Sequence, residues 1–252
     1  MVRGLAVLND ELYVLRSCEL IDVYSTTEFS HLRDFAVPQA DLAVLSAVAS
    51  CPQKHRVYIA DSGSECIHRL GVDGWMDRLP LRGYAALQPV TPSSDLLLIG
   101  CSEAGGVAKL TLISSESGEC LQEVTLTCPG PVGNGCTFHA VQISDSQYVV
   151  SYQNDDETAE VIRIGSDGSV LQRSDDGARV SFPYHMVADR DRFLFVAADF
   201  NVGGVVMFDP SLKFVREIQD GLETVPVRLH LDEASQCLYV GGLDGKVIVV
   251  QL

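Results

Sequence analysis

Apolar residues in this chain come in short runs, and the polar residues between them are turn formers. The stretch RVYIADSGSECIHRL, Arg56 to Leu70, is one instance: an apolar run, Ala-Asp, a small-residue turn and a second run. Runs of this length bounded by Gly, Asp, Ser, Asn and Pro predict β-strands, and apolar spacing of the helical kind is almost absent. The pattern predicts an all-β chain.

The runs recur in a fixed order. From Pro183, PYHMVADRDRFLFVAADFNVGGVVMFDPSLKFVREI reads as four strands joined by three short turns. GLAVLNDELYVLRSCELIDVYSTTEFSHLRDF, from Gly4, repeats that order, and VRLHLDEASQCLYVGGLDGKVIVVQL, from Val227, gives its first three strands. First strands are expected near positions 4, 41, 84, 137, 183 and 227, spaced by 37 to 53 residues. A four-stranded unit at that period predicts a β-propeller, because one such sheet buries both faces only between neighbours. The expectation is a single six-bladed propeller over residues 1–252, with the last blade lacking its outer strand. KVIVVQL would then be an unpaired edge, and packing between the first and last blades would close the ring.

RVYIADSGSECIHRL resembles the NHL repeat, a strand, Val-Ala-Asp, a small polar turn, then Arg-Ile and apolar residues. PYHMVAD…FLFVAADFNVGGVVMFDPSLKFVRE is more similar still. The third and fourth units, LLLIGCSEAGGVAKLTL and YVVSYQNDDETAEVIRI, keep the strands but lose the Ala-Asp. A WD-type propeller is the structural runner-up, although no Gly-His…Trp-Asp pair occurs and Trp75 falls in a turn. The resemblance extends to NHL domains of tripartite-motif-type animal proteins. It implies a non-catalytic platform for protein–protein interaction, the substrate- or partner-recognition domain of a larger regulatory protein. Such domains also bind RNA, typically through a basic face.

Charge changes that picture. The net charge is −16, and between Arg82 and Arg163 the only basic residue is Lys109 against ten acids. A nucleic-acid surface needs cations that displace phosphate counterions, so nucleic acid is not expected as a partner. The acidic face reads as a solubilising surface or as a dock for a basic protein or peptide. Arg190, Arg192, Arg216 and Arg228 are the positions that could still gather into a basic patch. No apolar stretch of about 18 residues occurs to span a membrane. The N-terminus does not read as a signal peptide, and a cytoplasmic chain, monomeric in isolation, is expected. The eight cysteines include no Cys-X-X-Cys and are expected as thiols, Cys128 and Cys136 among them. These two flank TCPGPVGNGC, Thr127 to Cys136, whose Pro and Gly predict a projecting loop.

No catalytic motif is present: no Gly-X-Ser-X-Gly, no phosphate loop with Lys, no His-Glu-X-X-His. No cofactor is expected. Asp61, Asp199 and Asp244 fall where turn side chains bond local backbone. His31, His55 and His68 read as surface or locally bonded. Aligning the units places Arg3, Asp41, Tyr84, His139, His185 and Arg228 at equivalent positions, near one mouth of the channel. His230 lies two residues beyond Arg228 and shares its face. The ring of polar groups has three readings: solvation of the entrance, a binding face for a peptide or small ligand, or a metal held by His139, His185 and His230. The amidating-lyase branch of NHL-like propellers holds zinc on channel-mouth histidines. The alternative function is therefore a propeller enzyme of the lyase or lactonase kind, although Arg228 beside a dication is unfavourable.

Overall fold

A computed structural model describes residues 1–16, 20–37, 45–71, 74, 76–80, 86–89, 95–101, 108–126, 138–153, 159–175, 180, 183–197 and 203–252. Every sheet is an antiparallel meander in chain order. The first blade is β1 (Gly4–Leu8), β2 (Glu11–Leu15), β3 (Leu20–Ser25) and β4 (His31–Ala36). The second is β5 (Leu45–Cys51), β6 (Arg56–Asp61), β7 (Cys66–Gly71) and β8 (Met76–Pro80). The third is β9 (Ala86–Pro89), β10 (Leu96–Cys101), β11 (Ala108–Ile113) and β12 (Cys120–Thr125). The fourth is β13 (Phe138–Ser144), β14 (Gln147–Gln153), β15 (Ala159–Gly165) and β16 (Val170–Arg173). The fifth is β17 (His185–Ala188), β18 (Leu194–Ala197), β19 (Val205–Phe208) and β20 (Phe214–Ile218). The last repeat is β21 (Pro226–Asp232), β22 (Cys237–Gly242) and β23 (Val247–Gln251).

The fold is an all-β propeller, and the expectation of six blades is corrected. The described residues build five four-stranded blades, and the last repeat is a three-stranded sheet. β23 pairs with β22, and no other described strand lies along its outer edge. The innermost strands β1, β5, β9, β13, β17 and β21 contact one another in cyclic order. They surround a cavity of about 610 Å³.

Each sheet is buried on both faces, which is why its middle strands are apolar at consecutive positions rather than alternate ones. In β2, Tyr13 and Leu15 pack with Leu45, Val48 and Ile59 of the second blade. Their neighbours Leu12 and Val14 turn the other way, onto Tyr239 of the last sheet. β6 repeats the device, with Val57 and Ile59 toward the first blade and Tyr58 and Ala60 toward Leu96 and Ile113 of the third. In β18, Leu194 and Val196 pack on Val141 and Val149, while Phe195 and Ala197 pack on Leu229 and Leu238. The core is thus a set of seams between sheets. Two glycines let the seams close. A Cβ on Gly4 would stand 2.7 Å from the Val48 backbone nitrogen, and one on Gly241 would stand 2.6 Å from a Val2 methyl.

The seam between the last sheet and the first blade carries Val2, Leu5, Leu12, Val14 and Tyr239, with Val247 and Val249 packed against them. Hydrogen bonds cross it. The Val2 N–H donates to the Gly242 carbonyl at 3.0 Å, and Arg16 Nε donates to the Gly245 carbonyl at 3.1 Å.

Candidate binding site at the channel mouth

An innermost strand pairs with its own blade on one side only. Its other edge faces the channel, and the backbone groups on that edge need partners. At the mouth, side chains supply them across the seams. Met186 N–H donates to His139 Nδ1 at 3.1 Å, and Leu229 N–H donates to His185 Nδ1 at 3.4 Å. Arg228 Nε donates to the Arg3 carbonyl at 2.7 Å, and Arg3 Nη1 reaches the Leu45 carbonyl at 3.5 Å. Four of the six aligned positions therefore do one thing: each clasps the backbone of the following sheet. His230 adds a further clasp, its Nε2 accepting from Val7 N–H at 3.2 Å.

These bonds fix charge as well as position. An imidazole nitrogen that accepts a backbone N–H must carry its lone pair, so the ring is held neutral. Burial pushes His139 down to about 3 and His230 down to about 4. Burial, with the neighbouring His139 and Arg228, holds His185 well below its ordinary value. The His139 and His185 rings stand 4.0 Å apart, centroid to centroid. Arg228 is partly buried, and burial together with the Arg3 charge pushes it down to about 10. Its Nη1 donates to the Val227 carbonyl at 2.7 Å. Arg3 Nε is buried without a hydrogen-bond partner. Among the described residues no carboxylate pairs with either guanidinium.

Arg3, His139, His185, Arg228 and His230 thus share one region, with their side chains bonded across the seams; His139 is 2% exposed, while His185 and His230 also line the channel cavity. Asp41 and Tyr84 lie outside the described residues, as do the Thr127–Cys136 loop and both of its cysteines. The three imidazoles do not bring their nitrogens to one point. Among the described residues the one trio of potential metal ligands within 4.8 Å of each other is Asp61, Cys66 and His68. Cys51, Cys66, Cys120 and Cys237 are free thiols.

That trio was not visible in the sequence as a group; of the two readings of His68, surface or locally bonded, the bonded one holds, and Asp61 and His68 are both fully buried. The register pairs Asp61 with Cys66 across the β6–β7 hairpin, and His68 follows two residues later on the same face. Asp61 Oδ1 accepts the turn N–H groups of Gly63 and Ser64 at 3.0 and 3.1 Å, the expected turn role. Its Oδ2 stands 3.2 Å from His68 Nε2, and Cys66 Sγ stands 3.5 Å from the same nitrogen. Hydrogen bonds to Ser64 and His68 outweigh burial and hold the carboxyl below its usual range. Asp244 also keeps a turn role, accepting from Lys246 N–H at 3.1 Å.

At the other end of the channel the cavity is lined by Asp189, Arg190, Arg192, Asp232 and Glu233, a mixed set in which the Arg190 N–H donates to Glu233. Arg216 lies far out on β20 and Arg228 at the start of β21. The four arginines considered as one basic patch are therefore dispersed.

No family model matches the chain, and no curated protein matches it in sequence. Solved structures do match its shape. Hydrazine synthase from Kuenenia stuttgartiensis superposes with a TM-score of 0.68 at 14% identity, over 100% of this chain and 84% of that one. A gluconolactonase from Xanthomonas campestris gives 0.67 at 16% identity, over 98% and 85%. A chain of the mitotic checkpoint complex gives 0.64 at 12% identity, over 100% and 76%. At these identities the likeness is one of fold, and the β-propeller is the common element.

Proposed function

We propose that the protein is a non-catalytic recognition propeller of NHL type, which binds a protein or peptide partner at the channel mouth. The observation that carries the reading is the belt of Arg3, His139, His185, Arg228 and His230. Its groups are locked to backbone across the seams, which presents two guanidiniums in fixed positions. Preorganised polar groups on a rigid scaffold suit recognition, because little side-chain entropy remains to be lost on binding. The same fold in a chain of the mitotic checkpoint complex is consistent with such a role. A basic partner could add contacts to the acidic outer surface, nucleic acid would be repelled, and a cytoplasmic monomer remains the proposed setting.

The test is selection of peptides from a random library on the wild-type protein, followed by titration against Arg228→Ala and Arg3→Ala. Selected peptides should lose about tenfold or more in affinity on both variants, at temperatures where circular dichroism shows both folded. Peptides that bind both variants as well as wild type would place recognition elsewhere.

A second reading, a lactonase- or lyase-like enzyme with a metal at the mouth, draws on the fold likeness to the gluconolactonase and on the adjacent His139 and His185 rings. It requires one equivalent of a divalent metal in the purified protein and metal-dependent hydrolysis of gluconolactone. Apo protein without hydrolysis after addition of zinc, calcium or manganese would eliminate it.

A further inference from the structure

The recognition reading leaves open what chemistry the mouth selects. We infer that Arg3 and Arg228 form an oxyanion site, taking a carboxylate or phosphoryl group of a ligand between the two guanidiniums. The inference rests on the reading of the mouth as a binding site and adds the ligand class.

Three observations converge on it. Arg228 spends Nε and Nη1 on the carbonyls of Arg3 and Val227, which neutralise nothing. Arg3 offers a buried Nε with no partner, and the one hydrogen bond its side chain makes among the described residues is a long one to a carbonyl. The groups around them bring no compensating negative charge among the described residues. His139, His185 and His230 are neutral, and Asp232, which acts on His230, lies at the far end of β21 from Arg228. Two adjacent cations with little access to water are unfavourable unless an anion joins them. A guanidinium presents a planar fork of donors that matches carboxylate and phosphate oxygens, where an ammonium would present only a point charge. Because the backbone clasps already orient both side chains, an anion would meet donors that need not rearrange. The two guanidiniums would disfavour a metal cation in the same space, and the neutral imidazoles beside them would not repel the anion.

The experiment is calorimetric titration and thermal denaturation of the whole chain with inorganic phosphate and with succinate. Succinamide serves as the uncharged counterpart, and sodium chloride holds ionic strength constant. Saturable binding of at least one of the two anions is expected, with a raised melting temperature and no effect of succinamide. Binding of phosphate alone would specify a phosphoryl ligand, and binding of succinate alone a carboxylate. Arg3→Gln should weaken the bound anion by about tenfold or more. Arg3 is the first choice of variant because Arg228 also closes the ring. Arg228→Lys, which retains the charge but loses the fork, should weaken it less than Arg228→Gln. Absence of saturable binding by either anion, or binding undiminished in Arg3→Gln, overturns the inference.

The two proposals fail separately. Library peptides lost on Arg228→Ala while neither anion binds would leave recognition standing and remove the oxyanion site. Arginine-dependent anion binding that fails to compete with selected peptides would keep the oxyanion site and move partner recognition elsewhere.

Discussion

His139, His185 and His230 show how a residue chosen for a binding role can also be structural. Each ring accepts a buried backbone N–H from the next sheet. Removing that acceptor leaves a donor unpaired, at about 1–3 kcal/mol. His185→Ala is therefore expected to lower the melting temperature, and His185→Asn, whose Oδ1 can take the place of Nδ1, to recover much of the loss. Equal melting temperatures for wild type and His185→Ala would show that the Leu229 N–H bond contributes nothing. The same bonds set a pH dependence. The folded rings have pKa values below the unfolded value of about 6.5, so the unfolded chain binds protons that the folded chain refuses. The stability due to neutral rings is fully present above pH 6.5 and lost as pH falls toward the folded values near 4 and 3. Each ring contributes at most about 1.4 kcal/mol per pH unit in that window. Denaturation by urea between pH 7 and 5, above the range where most carboxylates titrate, should show stability falling with acid. His230→Gln should flatten the dependence, and a parallel curve for that variant would place the titration on other groups.

At the scale of elements, the strands were legible because a sheet buried on both faces writes consecutive apolar residues between turn formers. The runs LYVL, VYIA, LFVA and LYVG are second strands of four sheets. Side-chain direction at the mouth was not legible, since it follows from which edge of the innermost strand faces the channel, a property of the assembled ring. Alignment could place His139, His185 and Arg228 at one level, but could not tell a group lining the channel from one crossing a seam. The Asp61–Cys66–His68 cluster was hidden for a similar reason: seven residues separate its ends, and only hairpin register brings them together. Gly4 tests the seam between the first two blades. Its missing Cβ admits the Val48 backbone, so Gly4→Ala must push two sheets apart, at about 1–3 kcal/mol. Gly74, where a Cβ meets nothing within 4 Å but φ is +81°, is a control whose penalty comes from backbone conformation alone. A Gly4→Ala protein as stable as wild type would mean that the seam yields freely. β23 provides the other element-level expectation. Its side chains are half-buried between two sheets, while one backbone edge has no described partner. Alternate amides of β23 should exchange with solvent rapidly and those of β22 slowly. Uniform protection along β23 would reveal a strand paired to its outer edge.

At the scale of the whole molecule, one seam differs from the rest. The chain itself runs from each sheet to the next, whereas among the described residues the last sheet meets the first blade through side-chain packing and hydrogen bonds. Val2 and Val14 are fully buried there, and Tyr239 is 1% exposed. The Val2, Arg16, Arg228 and His230 bonds cross at four levels. In a ring, opening any other seam must break this one or stretch the chain, so the closing seam sets the lowest-energy route to partial unfolding. Val2→Ala removes two buried methylene-sized groups and should cost about 1–3 kcal/mol. The location of the effect is more diagnostic than its size. Hydrogen exchange in Val2→Ala should quicken in β1, β2, β21 and β22, with protection in β13 to β15 and in β18 retained. Ile59→Ala, at the seam between the first two blades, removes a larger buried group but should reduce protection through the global unfolding route. If Val2→Ala instead lowers protection evenly over all the sheets, the ring opens as one cooperative unit and its closing seam is no weaker than the others. A ligand joining Arg3 to Arg228 spans this same seam. Saturating phosphate or succinate should therefore slow exchange in β1 and β21 more than in β14, which ties the stability of closure to occupancy of the mouth.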